Sequence, residues 1–177
     1  MNRSKNVFLI GLPGVGKSTI GKQLADALKL EFYDADRELE ERCGTTIAWI
    51  FDLEGEEGFR KREQKTIHEL TEKQGIVLAT GGGVVVTKEN RTRLAARGLV
   101  IYLESQATNL VGRMEHEQKR PLLMEKETRL DTLQQMASDR EPLYREISDF
   151  VVKTSDRSIR SVVNEIVELV HGAANRG

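Results

Sequence analysis

The sequence predicts an α/β fold, a five-stranded parallel β-sheet with helices on both faces. Short runs rich in β-branched residues alternate with stretches whose apolar residues recur at helical spacing, which is typical of parallel sheets. The first run also leads directly into a glycine-rich loop and then a helical stretch. Strands are predicted at 7–10, 31–33, 76–79, 99–103 and 149–153. Helices are predicted at 17–29, 36–42, 58–74, 88–97, 108–115, 127–147 and 159–171.

The composition is that of one ordinary globular domain spanning residues 1–177. Hydrophobic residues make up 38% of the chain, and 27 Lys and Arg against 28 Asp and Glu give a net charge of −1. This balance argues against a nucleic-acid partner, and no apolar run reaches the ~20 residues of a membrane helix. The N-terminus leaves no room for a signal peptide, and the single cysteine, Cys43, excludes an internal disulfide. We therefore expect a cytoplasmic protein, compatible with a monomer.

A phosphate-binding loop is the most informative segment, since Gly11–Ser18 reads G-x-x-x-x-G-K-S. Its glycines allow backbone N–H groups to curve around a polyphosphate. Lys17 is expected to reach the β- and γ-phosphates, and the Ser18 hydroxyl is expected to bind Mg²⁺. The helix that follows would point the positive end of its dipole at the same anion. The chain is therefore expected to bind a nucleoside triphosphate.

Two carboxylates, Asp34 and Asp36, follow the second predicted strand. Ligands of parallel sheets bind at the carboxyl ends of the strands, so both are site candidates. Asp34 is expected to hold Mg²⁺ through its water shell, and Asp36 to accept hydrogen bonds from a hydroxylated substrate. For one of the two, a helix N-cap is the alternative interpretation.

Three consecutive glycines, 81–83, follow the third predicted strand. They indicate that the backbone there passes very close to a ligand, and a flexible hinge is the alternative. Trp49 stands in an apolar stretch and is expected in the core, with the wall of a small pocket as its alternative. His68, His116 and His171 lack the spacing of zinc ligands.

Three arginines stand out by their setting: Arg60, Arg120 and Arg140. Arg60 opens a predicted helix, and Arg120 and Arg140 stand close before prolines. A guanidinium pairs bidentately with carboxylate or phosphate and can neutralise a transferring phosphoryl group. The polar segment before Arg120 is typical of a mobile lid. These residues together predict a Mg²⁺–ATP phosphotransferase whose acceptor is small, anionic and hydroxylated.

The motifs also resemble those of the shikimate kinase family, most closely its bacterial type-I form. The resemblance covers nearly the whole chain. It rests on the phosphate loop, Asp34-x-Asp36, Phe59-Arg60-x-x-Glu63, Thr80-Gly81-Gly82-Gly83, Arg120-Pro121-Leu122-Leu123 and Arg140-x-Pro142-Leu143-Tyr144. It implies a P-loop kinase fold of the nucleoside-monophosphate-kinase type, with a substrate-binding region at 34–61 and a lid at about 112–126. The implied reaction transfers the γ-phosphoryl of ATP to the 3-hydroxyl of shikimate.

The same resemblance implies a role for individual residues. It assigns catalysis to Lys17, Asp36 and Arg120, and metal binding to Ser18 and Asp34. It assigns shikimate binding to Asp36, Arg60, Gly82 and Arg140. It assigns ATP binding to Gly14, Val15, Gly16, Lys17, Ser18, Thr19, Arg120 and Arg157.

Other functions remain open on the sequence alone. A gluconate kinase or a nucleoside-monophosphate kinase shares the fold and the loop, and gluconate is also a hydroxylated carboxylate. The triple glycine and the Arg140-x-Pro142-Leu143-Tyr144 element favour shikimate. A non-catalytic nucleotide-binding module is the alternative from another class, and a nucleic-acid-remodelling ATPase lacks its basic stripe.

Overall fold

Five parallel strands form the single sheet of this structure, a computed structural model that describes residues 6–114 and 126–176. The strands occur in the order β2-β3-β1-β4-β5. Their bounds are Val7–Ile10 (β1), Glu31–Asp34 (β2), Ile76–Ala79 (β3), Leu99–Glu104 (β4) and Phe150–Lys153 (β5). The predicted sheet is confirmed, and each strand lies within one residue of its predicted bounds.

Helices join the strands and cover both faces of the sheet. They are Lys17–Leu28 (α1), Ala35–Cys43 (α2), Ile47–Thr71 (α3), Lys88–Arg97 (α4), Ala107–Met114 (α5), Lys126–Ile147 (α6) and Ile159–Ala174 (α7). Helices α1 and α7 pack together on one face, while α4 and α6 pack together against β4 on the other. None of the helices in the described ranges is both long and apolar enough to cross a membrane.

The central strand β1 determines where a ligand can bind. It pairs with β3 on one side and β4 on the other, and all four of its residues are buried. From β1 the chain first forms β2 and β3 on one side of this strand and then crosses to form β4 and β5 on the other side. The direction in which strands are added to the sheet therefore reverses at β1. Parallel sheets bind ligands at such a point. The phosphate loop lies there.

A second, smaller apolar cluster lies outside the main core. Leu39, Ile50 and Phe59 form it, and Cys43 and Phe51 pack against them. The main core instead contains Ile67 and Leu70 from the later part of α3. Helix α3 therefore belongs to both clusters, and α2 with the start of α3 forms a small unit beside the sheet.

Gly55 divides α3 into two helical segments. Its dihedral angles, φ 70° and ψ −176°, are non-helical and are adopted almost only by glycine. The sequence predicted only the later segment, from residue 58, because the two glycines at 55 and 58 indicate a loop. The prediction for Trp49 was wrong. Its side chain lies in the earlier segment and is 55% exposed rather than in the core.

We expect Gly55→Ala to lower the free energy of unfolding by about 1–3 kcal/mol, because an L-residue is strained at these angles. Nothing lies within 4 Å of an added β-carbon at this position, so the cost comes from the backbone alone. The measurement is urea unfolding followed by circular dichroism.

Gly172→Ala is the matched control for this change. Gly172 lies within α7 and also has open space around an added β-carbon. Alanine there should leave stability unchanged or raise it by up to about 1 kcal/mol. Equal effects of the two substitutions would contradict the strain assigned to Gly55.

Candidate active site

The phosphate loop occupies the turn between β1 and α1. Gly14 and Gly16 have φ of 84° and 102°, in the left-handed region that favours glycine. The Lys17 ammonium group donates to the carbonyl oxygens of Gly11 and Leu12, at 2.7 and 2.9 Å. Its side chain is therefore held inside the loop, beside the place where a phosphate would sit.

Ser18 and Asp34 lie next to each other across the site. The Ser18 hydroxyl donates to one carboxylate oxygen of Asp34, and the other oxygen accepts the backbone N–H of Arg37 at 3.1 Å. Asp34 is thus the N-cap of α2 and a neighbour of the phosphate loop at once. Hydroxyl and carboxylate oxygens are the hard donors that Mg²⁺ prefers, so this pair fits the ion. Within the described ranges, no group of three or more His, Cys, Asp or Glu gathers as a metal site.

The loop after β3, residues 80–83, passes close to the side chains of Asp36 and Arg60. The Thr80 hydroxyl donates to the Leu9 carbonyl at 2.8 Å, which fixes the loop against β1. A β-carbon on Gly81 would lie 2.7 Å from a carboxylate oxygen of Asp36, and one on Gly83 would lie 2.6 Å from Nη1 of Arg60. These approaches are closer than real β-carbons allow. Gly81 and Gly83 therefore make room for charged side chains.

Arg60 and Glu63 form a buried ion pair behind this loop. Arg60 Nη1 donates to Glu63 Oε1 at 2.9 Å, and Glu63 is only 3% exposed. Arg60 Nε is buried and has no hydrogen-bond partner in the part of the chain that the structure describes. A buried cationic donor of this kind is costly unless an anion pairs with it. The hydrogen-bonding capacity of the Arg60 guanidinium is therefore not fully used within the described residues.

Burial raises the pKa of Glu63, and this effect exceeds the opposing influence of Arg60. The charge of Asp36 raises this pKa further, whereas Arg140 lowers it. Four charged side chains therefore interact at one place, although they come from three different helices, α2, α3 and α6. Arg140 lies on α6, which continues through Pro142 to Ile147 instead of ending before the proline.

A cavity of about 320 Å³ extends from the phosphate loop to Asp36 and Gly82. Its lining includes Pro13, Gly14, Gly16, Lys17, Ser18, Thr19, Asp34, Asp36, Thr80 and Gly82. Arg37 and Glu40 also line it and were not predicted from the sequence. Glu40 lies one helical turn after Asp36, and this spacing was the signal that could have found it. Glu63 was quoted as part of a motif, but no role was predicted for it.

The predicted residues Val15, Arg60, Arg140 and Arg157 do not line this cavity, and Arg120 lies outside the described ranges. The Arg157 guanidinium donates to the Lys153 carbonyl at 2.9 Å and to a Glu165 carboxylate oxygen at 2.7 Å. It lies just beyond the carboxyl end of β5, and its contact with ATP stays a prediction. Arg120 and residues 115–125 of the predicted lid lie outside the described residues.

The comparisons with known proteins agree with this geometry. The family described as shikimate kinase matches residues 13–171, which is most of the chain. The chain belongs to the shikimate kinase family. The resemblance seen in the motifs is therefore confirmed.

Individual relatives support the same assignment. A shikimate kinase from Pseudoalteromonas translucida is 54% identical over 168 residues, covering 95% of this chain and 98% of the relative. A shikimate kinase from Acinetobacter baumannii, solved in complex with shikimate, superposes with a TM-score of 0.90 at 39% identity, covering 95% of this chain and 93% of that one. A gluconokinase from Sinorhizobium meliloti is 15% identical with a TM-score of 0.63, over 99% of this chain and 97% of that one, and shares the fold alone.

We expect Glu63→Gln to gain stability relative to the wild type as the pH rises. Because folding raises the Glu63 pKa, its contribution to stability is present below the unfolded pKa and is lost as the pH rises through the folded value. Glutamine is neutral throughout and shows no such loss. The measurement is urea unfolding of both proteins between about pH 4 and pH 8.

Glu57→Gln provides the control for this experiment, since the Glu57 side chain is 87% exposed. Its stability difference from the wild type should stay nearly flat with pH. A Glu63→Gln difference that stays flat, or that falls as the pH rises, would show that burial does not dominate at this carboxylate.

Proposed function

We propose that the protein transfers the γ-phosphoryl group of ATP to the 3-hydroxyl of shikimate, giving shikimate 3-phosphate and ADP. This step lies on the route to chorismate and the aromatic amino acids. The observation that carries the proposal is one cavity lined by Lys17 of the phosphate loop and by Asp36, with the Arg60–Glu63 pair behind it. Membership of the shikimate kinase family supports it independently.

The nucleotide end is assigned to the phosphate loop. Residues 14–19 would surround the phosphates with backbone N–H groups, and Lys17 would exchange its carbonyl partners for phosphate oxygens. Ser18 and Asp34 would hold Mg²⁺, which neutralises charge on the β- and γ-phosphates when bound. The lid residue Arg120 and the more distant Arg157 remain predicted contacts of ATP.

The acceptor end is assigned to the charged cluster around the glycine loop. Arg60 and Arg140 would bind the carboxylate of shikimate through their guanidinium groups. Asp36 would accept hydrogen bonds from the hydroxyls, and the backbone of Gly82 would contact the ring. Asp36 and Arg60 lie in the predicted substrate-binding segment, residues 34–61, whereas Gly82 and Arg140 come from other parts of the chain.

The chemistry requires positioning more than covalent help from the protein. The 3-hydroxyl oxygen forms a bond to the γ-phosphorus while the bond to the bridging oxygen of ADP breaks. Asp36, which lines the cavity, would accept the proton that the hydroxyl loses. Lys17 would stabilise the charge that develops on the transferred group. The monomeric state and the cytoplasmic location remain predictions from composition.

The test is ADP release by the purified protein with Mg²⁺ and ATP, with shikimate, gluconate or AMP in separate wells. We expect release with shikimate alone, because the cluster offers cationic donors for a carboxylate beside a hydroxyl acceptor. The Asp36→Asn variant should release ADP at least about 100-fold more slowly, while the exposed Asp52→Asn variant should match the wild type.

Other outcomes of this assay reject the proposal in different ways. Stimulation by gluconate or AMP would retain the fold and the loop but reassign Asp36, Arg60 and Arg140. ATP binding without release in every well would favour a non-catalytic nucleotide-binding module.

We expect Arg60→Ala to raise the KM for shikimate by about 10-fold or more, because a charge-assisted hydrogen bond to the acceptor is lost. The KM for ATP should change by less than about twofold, since the phosphate loop is untouched. Steady-state kinetics with each substrate varied in turn measure both values.

Lys61→Ala is the neighbouring control, because the Lys61 side chain is 75% exposed. It removes a cation from the same helix without entering the site. An Arg60→Ala enzyme with an unchanged KM for shikimate would remove Arg60 from the acceptor site.

A further inference from the structure

Tyr144 belongs to the Arg140-x-Pro142-Leu143-Tyr144 motif, but the proposed function gives Tyr144 itself no role. It lies on α6 and is completely buried. Its hydroxyl donates a hydrogen bond to the backbone carbonyl of Gly82, a residue 62 positions earlier in the chain. Tyr144 therefore connects the helix that carries Arg140 to the glycine loop under the site.

Gly82 is held from the other side by the phosphate loop. A β-carbon on Gly82 would lie 2.7 Å from Cδ of Pro13, so the proline ring packs directly against its backbone. Both Pro13 and Gly82 line the cavity. The peptide group after Gly82 is consequently fixed between Pro13 and the Tyr144 hydroxyl.

The surroundings of Tyr144 keep its hydroxyl in place and protonated. Its ring stacks on Tyr102 with 5.0 Å between the centroids and 25° between the planes. Burial raises the pKa of Tyr144 well above its usual range, so the hydroxyl remains a donor at any physiological pH.

We propose that Tyr144 is a positioning residue for the phosphoryl acceptor, acting through the backbone of Gly82. A peptide group is planar, so a hydrogen bond to the Gly82 carbonyl also fixes the direction of the Gly83 N–H. That peptide lies between Asp36, which approaches Gly81, and Arg60, which approaches Gly83. Without the hydroxyl, the loop can rotate away from the acceptor. The inference rests on the proposed function, in which this loop contacts shikimate.

The test compares Tyr144→Phe with Tyr102→Phe. Each change removes one hydroxyl and retains the stacked ring pair, but only the first removes the hydrogen bond to Gly82 and the contact of the same hydroxyl with Arg140. We expect Tyr144→Phe to raise the KM for shikimate by about 5- to 10-fold, which corresponds to losing about one hydrogen bond's worth of positioning. Its KM for ATP should change by less than about twofold, and Tyr102→Phe should leave both values near the wild type.

Calorimetric titration of shikimate into each protein checks the same shift as a binding constant, and thermal unfolding confirms that both variants are folded. An unchanged KM for shikimate in Tyr144→Phe would overturn the inference. Equal increases in both KM values would also overturn it, because they would indicate general loosening of the core. If the wild type uses shikimate and Tyr144→Phe has the same KM for it, this inference alone is rejected. A wild-type protein that ignores shikimate rejects the proposed function instead.

Discussion

The close contact between the three glycines 81–83 and the residues packed against them sets the spacing of the candidate site. Asp36 lies against Gly81, Pro13 against Gly82 and Arg60 against Gly83. Each is so close that a β-carbon on the glycine would clash with it. Three separate parts of the chain are thereby brought against one short stretch of backbone. Since the Thr80 hydroxyl ties this stretch to β1, the sheet fixes the position of the whole arrangement.

The buried charged groups of the site lower the stability of the folded protein. Glu63 carries its carboxylate in a buried position where desolvation exceeds the attraction of Arg60, and Arg60 retains an unpaired buried donor. Burying such groups is unfavourable unless a ligand completes their interactions. The extensive apolar core around β1, β3 and β4 offsets this cost. A carboxylate bound against the Arg60 guanidinium would offset part of this cost through its opposite charge.

Much of the fold followed from local sequence patterns, because buried strands and phosphate loops have strong local signals. The five strands and the roles of Gly14 and Gly16 as turn residues were predictable in this way. Trp49 was mispredicted because an apolar neighbourhood in sequence does not show which face of a helix is covered. The first part of α3 was missed because Gly55 and Gly58 indicate a loop, whereas the structure uses Gly55 only to change the helix direction.

The candidate site was predictable in its residues but not in its contacts. Asp34 illustrates the difference, since the metal and N-cap interpretations were treated as alternatives while its two carboxylate oxygens serve Arg37 and Ser18 separately. The roles of Glu63 and Tyr144 depend on partners from distant parts of the chain, such as Gly82. Spacing along the sequence carries no information about such pairs.

The small cluster of Leu39, Ile50 and Phe59 packs α2 against α3 outside the main core. None of these three residues belongs to the main core, to which α2 contributes only Ala35, so α2, which carries Asp36, is expected to open at a lower free energy than the sheet. The amides of α2 would then exchange with solvent through a partial opening that leaves the phosphate loop formed. A nucleotide could remain bound during that opening, whereas an acceptor could enter or leave.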